Sequence, residues 1–185
     1  MISCVVLAAG TASRFGSTKQ LFEFEAKPLV QHAIDAATGA ELDEIVVVLG
    51  HDAERVQEAI ELPAHGRTVV NERFAEGQST SLAAGLEALD AMSEGTVVLL
   101  GDQPGVTPEE IRALVARFRE TRAPIVRLRY RDAPGPALLS KEIWPETLEL
   151  AGDTGARALF ESHEVAEVEI DRDAPRDIDM RADVI

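Results

Sequence analysis

Ile2-Ser3-Cys4-Val5-Val6-Leu7-Ala8-Ala9-Gly10-Thr11-Ala12-Ser13-Arg14-Phe15-Gly16-Ser17-Thr18-Lys19-Gln20 passes from a β-rich apolar run straight into a polar, glycine-marked loop with two cations. The apolar run predicts a strand. Gly10 lets the backbone turn sharply after it, and the polar residues beyond leave main-chain N–H groups free to meet an anion. Arg14 can fork across two phosphate oxygens, whereas Lys19 is a mobile point charge suited to a phosphate whose charge shifts during reaction. Two better-known glycine loops do not fit. The dinucleotide fingerprint requires Gly where Ala12 stands, and a Walker loop requires four residues between its glycines where this chain has five between Gly10 and Gly16, with Ser17 following. Taken alone, the loop reads equally as a phosphate grip or as a plain strand-to-helix turn with two solvated cations.

Outward from the loop, apolar strand candidates recur at Ile2 to Ala8, Glu44 to Leu49, Arg67 to Val70, Thr96 to Leu100, Ile125 to Tyr130 and Val165 to Ile170. Segments of helical period separate them. Pro28 opens the first, with Gly39 at its C-terminal cap; Asp52 caps the second; Ser79 or Ser81 opens the third. Thr107-Pro108-Glu109-Glu110 is a capping box with Pro at the first helical position. This alternation predicts parallel βαβ units in a three-layer α/β/α sandwich, a Rossmann-like and mostly parallel sheet covered on both faces. Residues 1–185 are expected to form one domain, with no internal repeat or linker. Arg131-Asp132-Ala133-Pro134-Gly135-Pro136 is expected to be a hairpin or crossover.

Composition narrows the partners. The chain has 185 residues, 45% of them hydrophobic, which is enough for one domain with a real core. A net charge of −15 argues against general affinity for nucleic acid or an anionic membrane, so any anionic ligand has to be met by a local cationic cluster. Lys19, Lys27 and Lys141 are the only lysines among 18 basic residues, and scarce lysine with abundant Asp and Glu suggests a protein kept soluble in a salty cytosol. No apolar stretch reaches membrane-spanning length and no signal-peptide pattern opens the chain, so a cytoplasmic location is expected. Cys4, the single cysteine, lies in the first apolar run and is read as a buried thiol.

Ligands of open α/β sheets bind at the carboxyl ends of the strands. Those positions carry Ala9-Gly10, Gly50-His51, Asn71 and Gly101-Asp102. A carboxylate at the tip of the strand ending Leu100-Gly101 makes sense opposite a phosphate site if a divalent cation lies between them, magnesium being the expected ion. The other reading of Asp102 is a cap on the turn before Thr107. Asp177-Ile178-Asp179 places two carboxylates on one side of an extended segment, where one could complete the metal site or both could be solvated surface. Gly77-Gln78-Ser79-Thr80-Ser81-Leu82 sets hydroxyls at a helix start, suited to a base or ribose and equally to an ordinary serine cap. His51 is read as a turn residue, Trp144 as packing, and Glu23 and Glu25 as a solvated strand face.

In this order along the chain, the elements resemble the molybdenum-cofactor nucleotidyltransferases, the cytidylyltransferase branch most closely. Leu7-Ala8-Ala9-Gly10 through Arg14-Phe15-Gly16 and Lys19-Gln20-Leu21 looks like the family's signature loop. Asn71 with Gly77 to Leu82 resembles its base and ribose segment, Leu100-Gly101-Asp102-Gln103-Pro104 its metal-binding strand end, and Gly152-Asp153-Thr154-Gly155-Ala156-Arg157 an element typical of this branch. The resemblance implies transfer of a nucleoside monophosphate to a phosphorylated acceptor, molybdopterin or molybdenum cofactor, with release of pyrophosphate. It implies nucleotide contacts from Leu7, Ala8, Ala9, Gly10, Arg14, Lys19, Asn71, Gly77, Ser79, Ser81 and Gly101. It further implies Arg14 on the β and γ phosphates, Lys19 at the α-phosphate, and magnesium on Asp102 with Asp179. Relatives with Leu-Ala-Ala-Gly take pyrimidine nucleotides, which points to CTP; transient contact with a molybdoenzyme or cofactor carrier also belongs to this expectation. Two departures stand out. Pro134-Gly135-Pro136 precedes Ala137-Leu138-Leu139 where the family commonly carries Gly-His-Pro, and Met180-Arg181 follows Asp-Ile-Asp in place of Thr-Pro. The same chemistry on a sugar 1-phosphate or another phosphorylated alcohol is the nearest rival, and a non-catalytic module that binds nucleotide and presents cofactor is the rival from another class.

Overall fold

The structure, a computed structural model, describes residues 1–10, 18–176 and 178. Strand β1 (Ile2–Ala8) lies in the interior of a seven-stranded sheet because it is almost wholly apolar and needs cover on both faces. It pairs in parallel with β4 (Glu44–Leu49) and β6 (Gly95–Leu100), and β5 (Gly66–Val70) extends the sheet beyond β4. On the other side come β8 (Pro134–Ser140), β7 (Ile125–Arg129) and β9 (Val165–Glu169), completing the order β5-β4-β1-β6-β8-β7-β9. Two short strands, β2 (Glu23–Phe24) and β3 (Lys27–Pro28), form a separate antiparallel ribbon.

The expected strands are present with ends shifted by at most one residue, and the strand of the main sheet absent from the predicted series is β8. It runs antiparallel to both β6 and β7. Only Tyr130 to Ala133 separates it from β7, with the Tyr130 N–H donating to the Ala133 carbonyl at 3.0 Å. So short a connection can return the chain only antiparallel, whereas parallel neighbours need a long crossover. The turn-rich stretch therefore makes a hairpin inside an otherwise parallel sheet.

Helices cover both faces. Alternation along β1 sends Cys4, Val6 and Ala8 toward α1 (Leu29–Gly39), α2 (Ala53–Ala59) and α4 (Pro108–Thr121), where Val30, Ile34, Val56, Ile111, Leu114 and Phe118 meet them. Val5 faces the opposite layer, built from α3 (Gln78–Glu87) and α5 (Trp144–Leu148). Trp144 is buried as packing and donates its indole N–H to Leu139 at 3.4 Å. None of the described helices is long and apolar enough to cross a membrane.

The caps show which local signals prevailed. Thr107 and Glu110 exchange both bonds of the capping box, at 3.3 and 2.9 Å. Asp52 stands at the N-cap of α2 in the left-handed region (φ 57°), but its carboxylate accepts from the Thr18 hydroxyl and from Arg55 at 2.8 Å instead of capping. Helix α3 opens at Gln78 behind Gly77, one residue ahead of Ser79, because Gly77 takes φ 124°, a conformation that side chains disfavour. Glu25 also departs from expectation: it is a turn residue at φ 48° between β2 and β3.

Candidate active site

Parallel pairing brings the C-terminal ends of β1 and β6 side by side, with Leu7 opposite Leu100, so Ala9-Gly10 and Gly101-Asp102 emerge at the same edge. The Gly101 N–H donates to the Leu7 carbonyl at 2.9 Å and extends the ladder into the turn. A cleft of about 460 Å3 opens there, lined by Leu7, Ala8, Ala9, Gly10, Lys19, Ser81, Gly77, Gly101 and Asp102 among the predicted residues. Among the described residues, Gln20, Phe74, Ala75, Gln78, Leu100 and Asp153 also line it. Arg14, Asp177 and Asp179 lie outside the described residues.

Lys19 and Asp102 meet across this cleft, the Lys19 Nζ donating to Asp102 Oδ2 at 2.8 Å. The Lys19 side chain is only 9% exposed and that of Asp102 38%, so the cation is held from beneath and the carboxylate opens to solvent. Gln20, buried next to it, donates its amide to the Gly10 carbonyl at 3.0 Å and pins the end of β1 to the far side of the loop. A cation and a hard carboxylate at one strand edge provide what a phosphate and its counter-ion require.

Asn71 and Ser79 do not line the cleft. The Asn71 amide donates to Thr80 Oγ1 at 2.9 Å and Ser81 Oγ at 3.0 Å, while its oxygen accepts from the Arg73 N–H at 2.9 Å. Its position is that of a clasp between the end of β5 and the start of α3. Ser79 is buried; its main-chain N–H donates to Gly152 at 3.1 Å. That bond folds the Gly152-Asp153 loop onto Gly77 so closely that a Cβ on Gly77 would fall 2.2 Å from the Gly152 carbonyl carbon. Asp153 reaches the cleft by this contact. The sequence marked Gly152 to Arg157 as a family element without assigning Asp153 a role, and no local signal marked Phe74 or Ala75, which arrive through the turn between β5 and α3.

A second hollow, about 570 Å3, adjoins the first and shares Leu7, Gln78, Leu100 and Asp153 with it. Its wall is mixed: Leu82, Val98, Ala137 and Phe160 supply apolar surface, and Gln78, Gln103, Asp153, Thr154 and Arg157 supply polar groups. His51 is an exposed turn residue whose ring stands 6.3 Å from that of Phe74, and it is not among the residues lining either hollow.

Among the described residues, no group of three or more His, Cys, Asp or Glu side chains could hold a metal ion. The donor chemistry at Asp102 nevertheless fits magnesium or manganese, hard ions that use one or two carboxylates and take their remaining oxygens from water and substrate phosphates.

This sheet, with its crevice at the strand C-termini, has the architecture of the nucleotidyltransferases. The sequence profile of the MobA-like NTP transferase domain matches residues 4–168, and the chain belongs to that family. The structure of Rv0371C from Mycobacterium tuberculosis in complex with manganese superposes with a TM-score of 0.85 at 31% identity, covering 98% of this chain and 95% of that one. A nucleotidyl transferase from Methanothermobacter thermautotroptrophicus gives a TM-score of 0.78 at 25% identity, covering 97% and 89%. In sequence, the bifunctional protein GlmU of Cutibacterium acnes is 36% identical over 124 residues, 66% of this chain and 30% of that protein's length. The chain thus corresponds to less than a third of that relative.

Proposed function

We propose that the protein transfers CMP from CTP to a phosphorylated acceptor, molybdopterin or molybdenum cofactor, releasing pyrophosphate with the help of Mg2+. The observation that carries this reading is the 2.8 Å Lys19–Asp102 pair on the cleft at the joined ends of β1 and β6. A terminal phosphate oxygen of the acceptor attacks the α-phosphorus, the bond to the β-phosphate oxygen breaks, and pyrophosphate leaves. Lys19 neutralises charge gathering on the α-phosphate, and Arg14 forks to the β and γ phosphates. Magnesium held by Asp102 and Asp179 would offset phosphate charge and orient the chain of phosphates for in-line displacement. No covalent enzyme intermediate is needed, since positioning and electrostatic stabilisation supply the catalysis. Backbone groups of Leu7 to Gly10 and the side chain of Ser81 face the nucleoside, whereas Asn71 and Ser79 act from behind by holding the start of α3.

The hollow beside Phe160 and Ala137 is assigned to the acceptor. Its wall combines an aromatic face at Phe160 with the polar side chains of Gln78, Gln103, Asp153, Thr154 and Arg157, which suits a flat ring with hydrogen-bonding edges such as a pterin. A sugar 1-phosphate acceptor is the second reading, favoured by the Pro134-Gly135-Pro136 sequence, which lacks the histidine of pterin-using relatives, and by the likeness to GlmU. Incubation with α-phosphate-labelled CTP and either molybdopterin or a panel of sugar 1-phosphates decides between them. Label on the pterin product supports the first reading, and label on a sugar alone replaces it with the second.

A further inference from the structure

Glu110 does more than cap α4. Its side chain is 7% exposed, and both oxygens are engaged: Oε1 accepts from Arg172 Nε at 2.8 Å, and Oε2 accepts from Arg172 Nη2 at 2.8 Å, the Tyr130 hydroxyl at 3.1 Å and the Thr107 N–H at 2.9 Å. Arg172 also donates to the Gly105 carbonyl at 2.8 Å and lies over the Tyr130 ring, 5.0 Å from its centroid. A helix cap works at the surface, so a carboxylate buried and forked to an arginine has a cost that capping alone does not require.

The cluster joins three pieces of chain: the turn after β6 that carries Asp102, the β7–β8 hairpin, and the segment leading to Ile178. Past Arg172, two described positions meet the same turn: Gln103 Nε2 donates to the Pro175 carbonyl at 3.4 Å and the Ile178 N–H donates to the Asp102 carbonyl at 3.2 Å. Arg172 is thus the charged anchor of a strap whose far end is bonded to the main chain of the residue assigned to the metal.

We infer that Glu110 and Arg172 are positioning residues of the nucleotidyl site: their fork holds the C-terminal strap against the Asp102 turn and so sets that carboxylate for its cation. This rests on the assignment of Asp102 in the proposed function. Residues that orient a metal ligand from behind change metal affinity by about 10- to 100-fold when lost.

The test compares the wild type with Arg172→Ala, Arg172→Lys and Thr107→Ala, reading amide hydrogen exchange at Ile178, Mn2+ binding by electron paramagnetic resonance, and kcat and KM for metal–CTP. Arg172→Ala is expected to speed exchange at Ile178 and weaken Mn2+ binding by about 10-fold or more, raising KM more than it lowers kcat. Arg172→Lys, which keeps the charge without the fork, falls between it and the wild type. Thr107→Ala weakens the same helix start without touching the fork, and it lowers the melting temperature while leaving exchange and Mn2+ affinity unchanged. Wild-type exchange and affinity in Arg172→Ala, or equal losses in Thr107→Ala, overturn the inference. Should Arg172→Ala fail to fold, Glu110→Gln, which keeps one acceptor oxygen, replaces the other with an NH2 donor and drops the charge, is read by the same two measurements. A wild type that releases no pyrophosphate defeats the proposed function, while exchange at Ile178 still decides whether the strap is pinned by this fork.

Discussion

At the scale of single residues, Lys19 carries the largest share of the proposed chemistry. Its ammonium is sunk below the cleft surface and directed at Asp102, so a truncation there removes a charge contact without opening the sheet. Lys19→Ala is expected to lower kcat by about 100-fold or more, the range for losing a transition-state charge contact, with circular dichroism unchanged. Near-normal turnover would remove Lys19 from the mechanism. Cys4 stands apart from all this: complete burial pushes its thiol well above the usual range, so it acts as a small apolar side chain in the core. Asp102 and Gly10 were legible because they follow strands whose ends could be read, and Lys19 because it is one of two cations in the loop beyond the first strand. Asn71 and Ser79 lie in the same marked segments, yet their roles as supports depend on where Arg73, Thr80 and Gly152 bring their partners, which spacing does not encode.

Among the elements, local signals succeeded where one interaction dominates. Thr107-Pro108-Glu109-Glu110 specifies both partners of a capping box within four residues, and the helix starts there. Asp52 has the right residue type at the right place, but Thr18 and Arg55 compete for its carboxylate and prevail. The hairpin strand β8 escaped the predicted series because Pro134 and Gly135 read as turn residues. The pairing of Ala137 to Ser140 with β6 overrides that local preference. Thr107→Ala is expected to cost about 1 kcal/mol, typical of losing an N-cap side chain, measured as a shift in urea midpoint with the slope unchanged. A loss of several kcal/mol would mean that Thr107 supports more than the start of α4.

For the whole molecule, the surplus of acid over base shapes the response to pH. Hydrogen bonding from Thr18 holds the Asp52 carboxyl below its ordinary range, Arg73 does the same for Glu76, and Arg122 with the amino terminus for Glu94. Each group binds a proton less readily when folded, so its contribution is present above the unfolded carboxylate value near 4 and fades as pH falls through the lower folded value. Glu76 and Glu94 are exposed and Asp52 is partly so, and solvent screens all three, so each effect is small. The melting temperature is therefore expected to hold from pH 7 to about 5 and to fall progressively below about 4, as followed by calorimetry. A rise on acidification would contradict the assignment. The α/β/α layering was legible as a whole because each buried strand is a continuous apolar run and each helix has a marked start or stop. Contact between the Gly152 loop and Gly77, which closes one side of the cleft, joins positions far apart in the chain and became visible only in the fold.

The central claim is that this cleft cleaves a nucleoside triphosphate between its α and β phosphates. Pyrophosphate release tests it most directly, measured with each of the four nucleoside triphosphates, Mg2+, and molybdopterin or a sugar 1-phosphate. Release is expected to depend on the acceptor and to be fastest with CTP; tight CTP binding without release under every one of these pairings overturns the claim.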